Sequence, residues 1–310
     1  MKLPVFDLHC DTALALSERA EVYTALRSNH RHVDLVRAGE LGGYCQCFAM
    51  FTTPDFEKWY QKPVTEVFDN MLSNLEKEIE LNSDLIAKAG STAEIEENRA
   101  AGKMSAILTL EGPAGISFDA GRLQELYDRG FRISTLSWNE QNILTGSIAT
   151  GGGLTDAGRE YVRECQRLGI LVDVSHISDE AFWDIMKITE APVIASHSNL
   201  RSICGHKRNL TEDMYRAIVE TGGTAGINLF VPFVSEGKAD LVRSVTTFSG
   251  CWSWTPPGNT SPWAAIWTAV TPCPRASRVS RATMPWPSGF MNGAWMRRPS
   301  VTFTGTTRWE

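Results

Sequence analysis

The chain lacks any apolar run near the ~20 residues needed to span a bilayer. Acidic residues also interrupt its N-terminus, MKLPVFDLHCDT, before a signal-type core can form. These absences argue against a membrane segment and for the cytoplasm. An excess of basic residues is missing too: the formal net charge is −6 over 310 residues. That balance suggests neither nucleic acid nor an anionic lipid surface as a partner. Cysteines in paired spacing are absent. The seven present, an odd number, suit a reducing compartment better than a disulfide framework. Cys45 and Cys47, alternating on an apparent strand, read as small core residues. What is left, with 43% hydrophobic residues, is a soluble globular chain long enough for one large α/β barrel or two smaller domains.

A sharper absence begins after Arg243. From Ser244 to Glu310 there is no Leu, Lys, Asp, His, Tyr or Gln, yet seven of the ten Trp and eight of the fourteen Pro fall there. Six Arg and one acidic residue give this segment +5, against 24 Lys/Arg and 35 Asp/Glu, or −11, before it. A folded core without leucine is improbable on ordinary usage. The chain therefore divides into one folded unit, 1–243, and a tail, 244–310, expected to be frameshifted or disordered. Reading a GC-rich gene in the wrong frame generates such a composition; selection for a core does not.

Before the break, strand and helix patterns alternate. Apolar runs at Leu3–Leu8, Gly43–Phe51, Met104–Leu110, Phe131–Leu136, Ile170–Val174, Val193–Ala195 and Thr224–Leu229 read as strands. Helical periodicity covers Phe56–Glu80, Thr92–Ala100 and Leu154–Leu168, with Tyr161, Cys165 and Leu168 on an inner stripe. Ser178 and Thr211 are placed to cap further helices. Leu123, Leu126 and Tyr127 share a helical face, and Gly130 stands where a C-cap belongs. Seven strands in this rhythm imply a parallel sheet with right-handed crossovers. They fit an α/β (β/α)8 TIM-type barrel lacking its normal eighth strand. A doubly wound open sheet has the same periodicity and stays open as the alternative.

Four of these strands end in groups that bind metals. The first runs into Asp7-Leu8-His9-Cys10-Asp11, where residues two apart face the same way, so His9 and Asp11 converge and Cys10 turns to the helices. The others end in Leu110-Glu111-Gly112, in Asp173-Val174-Ser175-His176 and in Ala195-Ser196-His197-Ser198. In a barrel these ends gather at one mouth, where active sites lie. Each residue has a plainer reading: Asp11 capping the next helix, Glu111 capping a loop helix, a lone His hydrogen-bonded at a strand end. His30 and His32 read as solvated loop residues. Jointly, three imidazoles and two carboxylates at successive strand ends form a ligand set for zinc or a similar ion. Five ligands exceed the need of one tetrahedral ion, so two metals sharing a carboxylate is the economical assignment. Paired ions ~3.5–4 Å apart hold a bridging water, lower its pKa and polarise a carbonyl.

The motifs DLHCDT, LTLEG, DVSH and PVIASHSNLRSICGHKRNL together resemble the membrane (renal) dipeptidases and their bacterial relatives, peptidase family M19, from residue 5 to about 240. The related amidohydrolases typically open with His-x-His, whereas His9-x-Asp11 with Glu111 is similar to the dipeptidases. The resemblance implies a zinc-dependent dipeptidase with two Zn2+. His9, Asp11 and Glu111 would hold the first ion, and Glu111, His176 and His197 the second, with Glu111 bridging them as the catalytic residue. It implies that Arg208, in the pair Arg208-Asn209, receives the substrate's C-terminal carboxylate, a task suited to a bidentate guanidinium. Trp138 stands where the animal enzymes carry a His that steadies the tetrahedral intermediate; bacterial relatives often show a Trp-Asn pair there, as in Trp138-Asn139, so the resemblance implies that these two touch substrate and alter specificity. The implied partner is a small dipeptide, and a homodimer is allowed for. One departure is serious: the family's eighth strand ends in a Gly-rich segment with a proton-shuttling Asp, and no Asp follows Arg243. The readings carried forward are an active dipeptidase, a related small-amide hydrolase, and a metal-binding but catalytically impaired product.

Overall fold

The computed structural model describes residues 4–17 and 26–235 and, as backbone, residues 267–269. The strands are β1 Val5–Cys10, β2 Tyr44–Phe51, β3 Ile86–Lys88, β4 Met104–Glu111, β5 Phe131–Thr135, β6 Thr145–Ser147, β7 Gly151–Leu154, β8 Leu171–Asp173, β9 Val193–Ile194, β10 Ile227–Asn228 and β11 Trp267–Ala269. The main sheet runs β10-β11-β1-β2-β4-β5-β8-β9 and all its pairings are parallel. An isolated parallel bridge between Ala195 and Ala225 joins its two ends. The curled parallel sheet of the barrel reading is thus present, and the open doubly wound order is not.

Two features fall outside the strand count made from periodicity. Strand β3 pairs with the first half of β4, and β5 takes over on the second half. The antiparallel pair β6–β7 forms a separate two-stranded sheet. Both are only three or four residues long, too short for a period to register.

The eighth position of the sheet is filled, though by three residues rather than a full strand. Strand β11 pairs Trp267 with Phe6 and Ala269 with both His9 and Asn228. Composition gives no sign of a strand there, because ladder hydrogen bonds come from the backbone and any segment can satisfy two facing sheet edges. The rest of the expected 244–310 tail lies outside the described residues.

The helices form the outer layer. The single helix expected over Phe56–Glu80 is two, Phe56–Tyr60 and Val64–Leu81. Gln61 adopts a left-handed conformation and Pro63 restarts the chain. The longer helix presents Val67, Phe68, Met71, Leu72, Leu75 and Ile79 at three- and four-residue spacing to the sheet. Each such side chain contributes roughly 1.5–3 kcal/mol on burial. Ser178 caps the helix Asp179–Ile188 through Ala181 N–H, and Thr211 caps Glu212–Glu220 through Met214 N–H, as expected from sequence. In Asp156–Leu168 the inner stripe is Tyr161, Val162 and Cys165. Cys45 and Cys47 are buried in a small apolar cluster with Leu8, Ile107, Ile133 and Ile194. Along β4, Ile107 and Thr109 stand on the face that ends in Glu111, so this cluster floors the mouth of the barrel. Cys10 packs in the other, larger core beneath the helices.

Candidate metal centre

Alternation alone does not aim His9. Leu8 belongs to the inner cluster and Cys10 to the outer core. The pairing register shifts between Asp7 and Cys10 on the β2 side and between Phe6 and His9 on the β11 side. Irregularities of this kind re-aim a side chain, and here the imidazole turns to the mouth. Its Nε2 lies 3.4 Å from Asp11 Oδ1 and 3.3 Å from Glu111 Oε2. Asp11 therefore meets His9 rather than serving only as a helix cap.

Glu111 ends β4, and the chain turns sharply behind it. Gly112 has φ +74, and a Cβ there would stand 2.4 Å from Thr52 O. Only glycine fits that turn. The following 3-10 helix has Gly112 at its cap with no side-chain cap bond, so the carboxylate of Glu111 is not a loop cap. Instead it lies among three imidazoles. Its Oε2 faces His9, while Oε1 is 3.2 Å from His176 Nε2 and 3.7 Å from His197 Nε2. The ligand atoms of His9, Glu111 and His197 all lie within 4.8 Å of one another. His176 adds its Nε2 at 2.8 Å from His197 Nε2.

The two histidines on the far side are held from behind. His197 Nδ1 is 2.6 Å from Ser196 Oγ, and Ser196 Oγ–H donates to Asp173 Oδ2 at 2.5 Å. Having given its proton to Asp173, the hydroxyl accepts from His197 Nδ1–H. Asp173 also accepts from Thr135 Oγ1–H and from the backbone N–H groups of Ser175 and Ser196. His176 Nδ1 faces Asn139 Oδ1 at 3.2 Å. Both Nε2 lone pairs are thereby turned inward, the arrangement of metal-binding histidines with oxygen partners behind them. His176 carries φ +72, a left-handed conformation uncommon for a residue other than glycine. Its backbone carbonyl accepts from Ile148 N–H, on the hairpin between β6 and β7.

The charges divide the same way. Burial pushes Glu111 up to about 7, against the pull of His9. Burial opposes a proton on His9, but Glu111 and then Asp11 overcome it and raise its pKa to about 9. His176 and His197 are driven well below the usual imidazole range, first by burial and then by the nearby cations Arg208 and His9. Two inward lone pairs 2.8 Å apart beside a carboxylate suit a shared positive centre, whether a proton or a metal ion. Nitrogen and oxygen donors in this number fit a divalent ion of the zinc type.

Arg208 is buried beside this centre. Its Nη1 donates to Ser198 Oγ at 2.6 Å, while Nε and Nη2 are buried with no partner among the described residues. A cleft lined in part by Ile148, His176, Phe182, Ser198 and Arg208 joins the guanidinium to the His176 imidazole. Trp138 packs on Phe51, ring centroids 4.9 Å apart, with His176 at 6.3 Å. Asn139, expected to meet substrate, has its Oδ1 on His176. His30 is exposed as expected, whereas His32 is half-buried and its pKa lowered by that burial. Sequence reasoning gave no role to Asp173, Ser196 or Ser198. The only available signal is a hydroxyl on either side of His197, which many strands show by chance.

The family model described as membrane dipeptidase (peptidase family M19) matches residues 1–269, so the match runs past Arg243 to the end of β11. An uncharacterized protein of Acinetobacter calcoaceticus, from the 3' region of a PQQ locus, is 29% identical over 271 residues, covering 78% of this chain and 86% of that protein. An uncharacterized dipeptidase of Schizosaccharomyces pombe is 30% identical over 227 residues, 67% of this chain but only 53% of that protein. A metallopeptidase from Rhodobacter sphaeroides, crystallised with a phosphinate mimic of the dipeptide L-Ala-D-Ala, superposes with a TM-score of 0.73 at 23% identity, covering 87% of this chain and 86% of that one. The dipeptidase AC, a metallopeptidase of family M19, gives 0.72 at 25% identity, covering 86% and 87%.

Proposed function

The chain belongs to the membrane dipeptidase family, peptidase family M19, and from that premise we propose that it is a two-zinc dipeptidase cleaving the amide bond of small dipeptides. Membership alone makes it a metal-dependent dipeptidase with a peptide substrate; the metal's identity, the count of two and the residue roles are the proposal. One observation carries it: the two oxygens of Glu111 face opposite sets of imidazoles, His9 on one side and His176 with His197 on the other. A carboxylate so placed is suited to bridge two ions, with Asp11 completing the His9 side. Divalent ions there would supply Lewis acidity toward the scissile carbonyl and toward attacking water.

The protein's own groups do the rest. Arg208 binds the substrate's free carboxylate: its fork has two buried donors without partners among the described residues, in the cleft that reaches His176. That demand for a terminal carboxylate argues against cleavage inside long chains. Trp138 stands beside His176, where a bound substrate would meet it, and Asn139 orients that histidine rather than the substrate. The Asp173–Ser196 relay keeps His197 in one tautomer. Metal analysis of purified protein together with a panel of dipeptides and N-acyl amino acids tests this reading. Two equivalents of zinc and hydrolysis confined to dipeptides are expected. Cleavage of N-acyl amino acids but not dipeptides would make it a small-amide hydrolase instead. A second reading, that the chain as written is catalytically impaired, is favoured by the absence of any carboxylate residue in β11 beside His9.

A further inference from the structure

We infer that the chain beyond about residue 244 is its gene read out of register, and that the register one nucleotide earlier encodes the barrel's eighth strand, with an acidic residue at the position of β11. The fold fixes where that strand must lie. Trp267–Ala269 sits between β1 and β10, with Ala269 opposite His9 and Asn228. Whatever is encoded at these three positions closes the ring beside the metal centre. As written they are Trp, Thr and Ala, in a segment without Leu or Asp.

The genetic code allows the other register to be read in part from the protein alone. Trp has one codon, TGG, and every Thr codon begins AC. The triplet formed by the last base of Trp267 and the first two of Thr268 is therefore GAC, which is Asp, whatever codons the gene uses. The junction Trp254–Thr255 gives the same result. Trp263–Ala264 gives GGC, a Gly. Cys251–Trp252 gives TTG or CTG, both Leu, and Ile266–Trp267 gives Leu or Met. The missing amino acids return together. Across the eighth-strand slot the earlier register spells Gly, two variable residues, Leu or Met, then Asp, and this Asp falls between the positions that pair with Phe6 and His9. A strand that ends Gly-rich and acidic at the mouth is chemically continuous with His9, Asp11 and Glu111; Trp-Thr-Ala is not. The third register turns both Trp–Thr junctions into Gly and supplies no acid there.

The inference rests on the metal-centre reading only for what the Asp does, so its first test is independent of function. Nucleotide sequencing over the codons for residues 235–269 should find the earlier register free of stop codons from the break through β11. Near codons 235–250 it should find a point where adding one base joins the two registers. A stop codon in that register before the Trp267–Thr268 junction overturns the inference. The second test compares the 310-residue chain with the chain made by adding that base. Soluble yield should rise, and zinc affinity, read by competition with a chromophoric chelator, should rise by at least ~10-fold, the scale of one supporting carboxylate. A joined chain no more soluble and no tighter for zinc would overturn it. A joined chain that folds and binds zinc but cleaves no dipeptide upholds the register and removes the dipeptidase reading.

Discussion

The two sides of Glu111 are built differently. On the β1 side, His9 meets two carboxylates, Asp11 is 43% exposed, and the imidazole's pKa is raised to about 9. On the β8–β9 side, His176 and His197 are buried, neutral at ordinary pH and each fixed from behind by an oxygen on Asn139 or Ser196. The first half is charge-compensated, with only Asp11 reaching solvent; the second is pre-set by hydrogen bonds. Such a contrast predicts unequal metal sites, with the β8–β9 side needing no rearrangement and the β1 side having to shed a proton from His9 before an ion can bind.

Glu111→Gln should have the largest effect, because it is the group both halves share. Metal affinity at both sites should fall by more than ~100-fold, beyond the range for supporting residues. Loss of one equivalent only, by metal analysis, would mean that the halves are independent and the carboxylate is not a bridge. Next come Asp173→Asn and Ser196→Ala, which strike one half. Each should weaken one of two zinc equivalents by roughly 10–100-fold and leave the other in place. Equal weakening of both in a chelator titration would erase the distinction between pre-set and charge-compensated sides.

Arg208→Met should leave both metals bound. In the active enzyme it should raise KM for dipeptides by an amount corresponding to roughly 2–5 kcal/mol of lost pairing, with little change in melting temperature. A large fall in melting temperature at unchanged KM would make the residue structural. The smallest effect is expected behind His9. Burial pushes Asp7 up to about 7, from 3.8, while His9 N–H and Tyr44 Oη–H donate to its carboxylate. The folded state therefore keeps a proton that the unfolded chain releases between those values. Stability falls as pH rises through that window. In metal-free protein, Asp7→Asn should raise Tm by ~2–4 °C at pH 8 and by nothing at pH 4. A gain of equal size at both pH values would show that packing, not ionisation, is responsible.

The barrel was legible because its strands are buried on both faces and alternate with capped helices, so apolar runs, Ser178 and Thr211 announce themselves. Short elements were not: β3, β6, β7 and β11 are each held by the neighbours they pair with. The split of Phe56–Glu80 into two helices was readable in Pro63, yet the strong periodicity on either side conceals it. Of the site, His9, Asp11, Glu111, His176 and His197 stood out as ligand types at strand ends. Arg208 and Trp138 drew attention only through the family motif. Asp173 and Ser196 did not stand out at all, since a carboxylate and a hydroxyl on neighbouring strands acquire a role only when register brings them together.

By itself the sequence determined which chemistry this protein carries, because ligand type is a property of single residues and their placement at strand ends follows from local periodicity. It also determined where the chain's composition breaks, and through the single codon of Trp it constrains what another register must contain. Only the tertiary structure decided how Glu111 divides its oxygens, which tautomers His176 and His197 adopt, and that three residues near 268 fill the eighth position beside His9. Those depend on distances between strands far apart in the chain, and such distances are set by packing and pairing rather than by any local pattern.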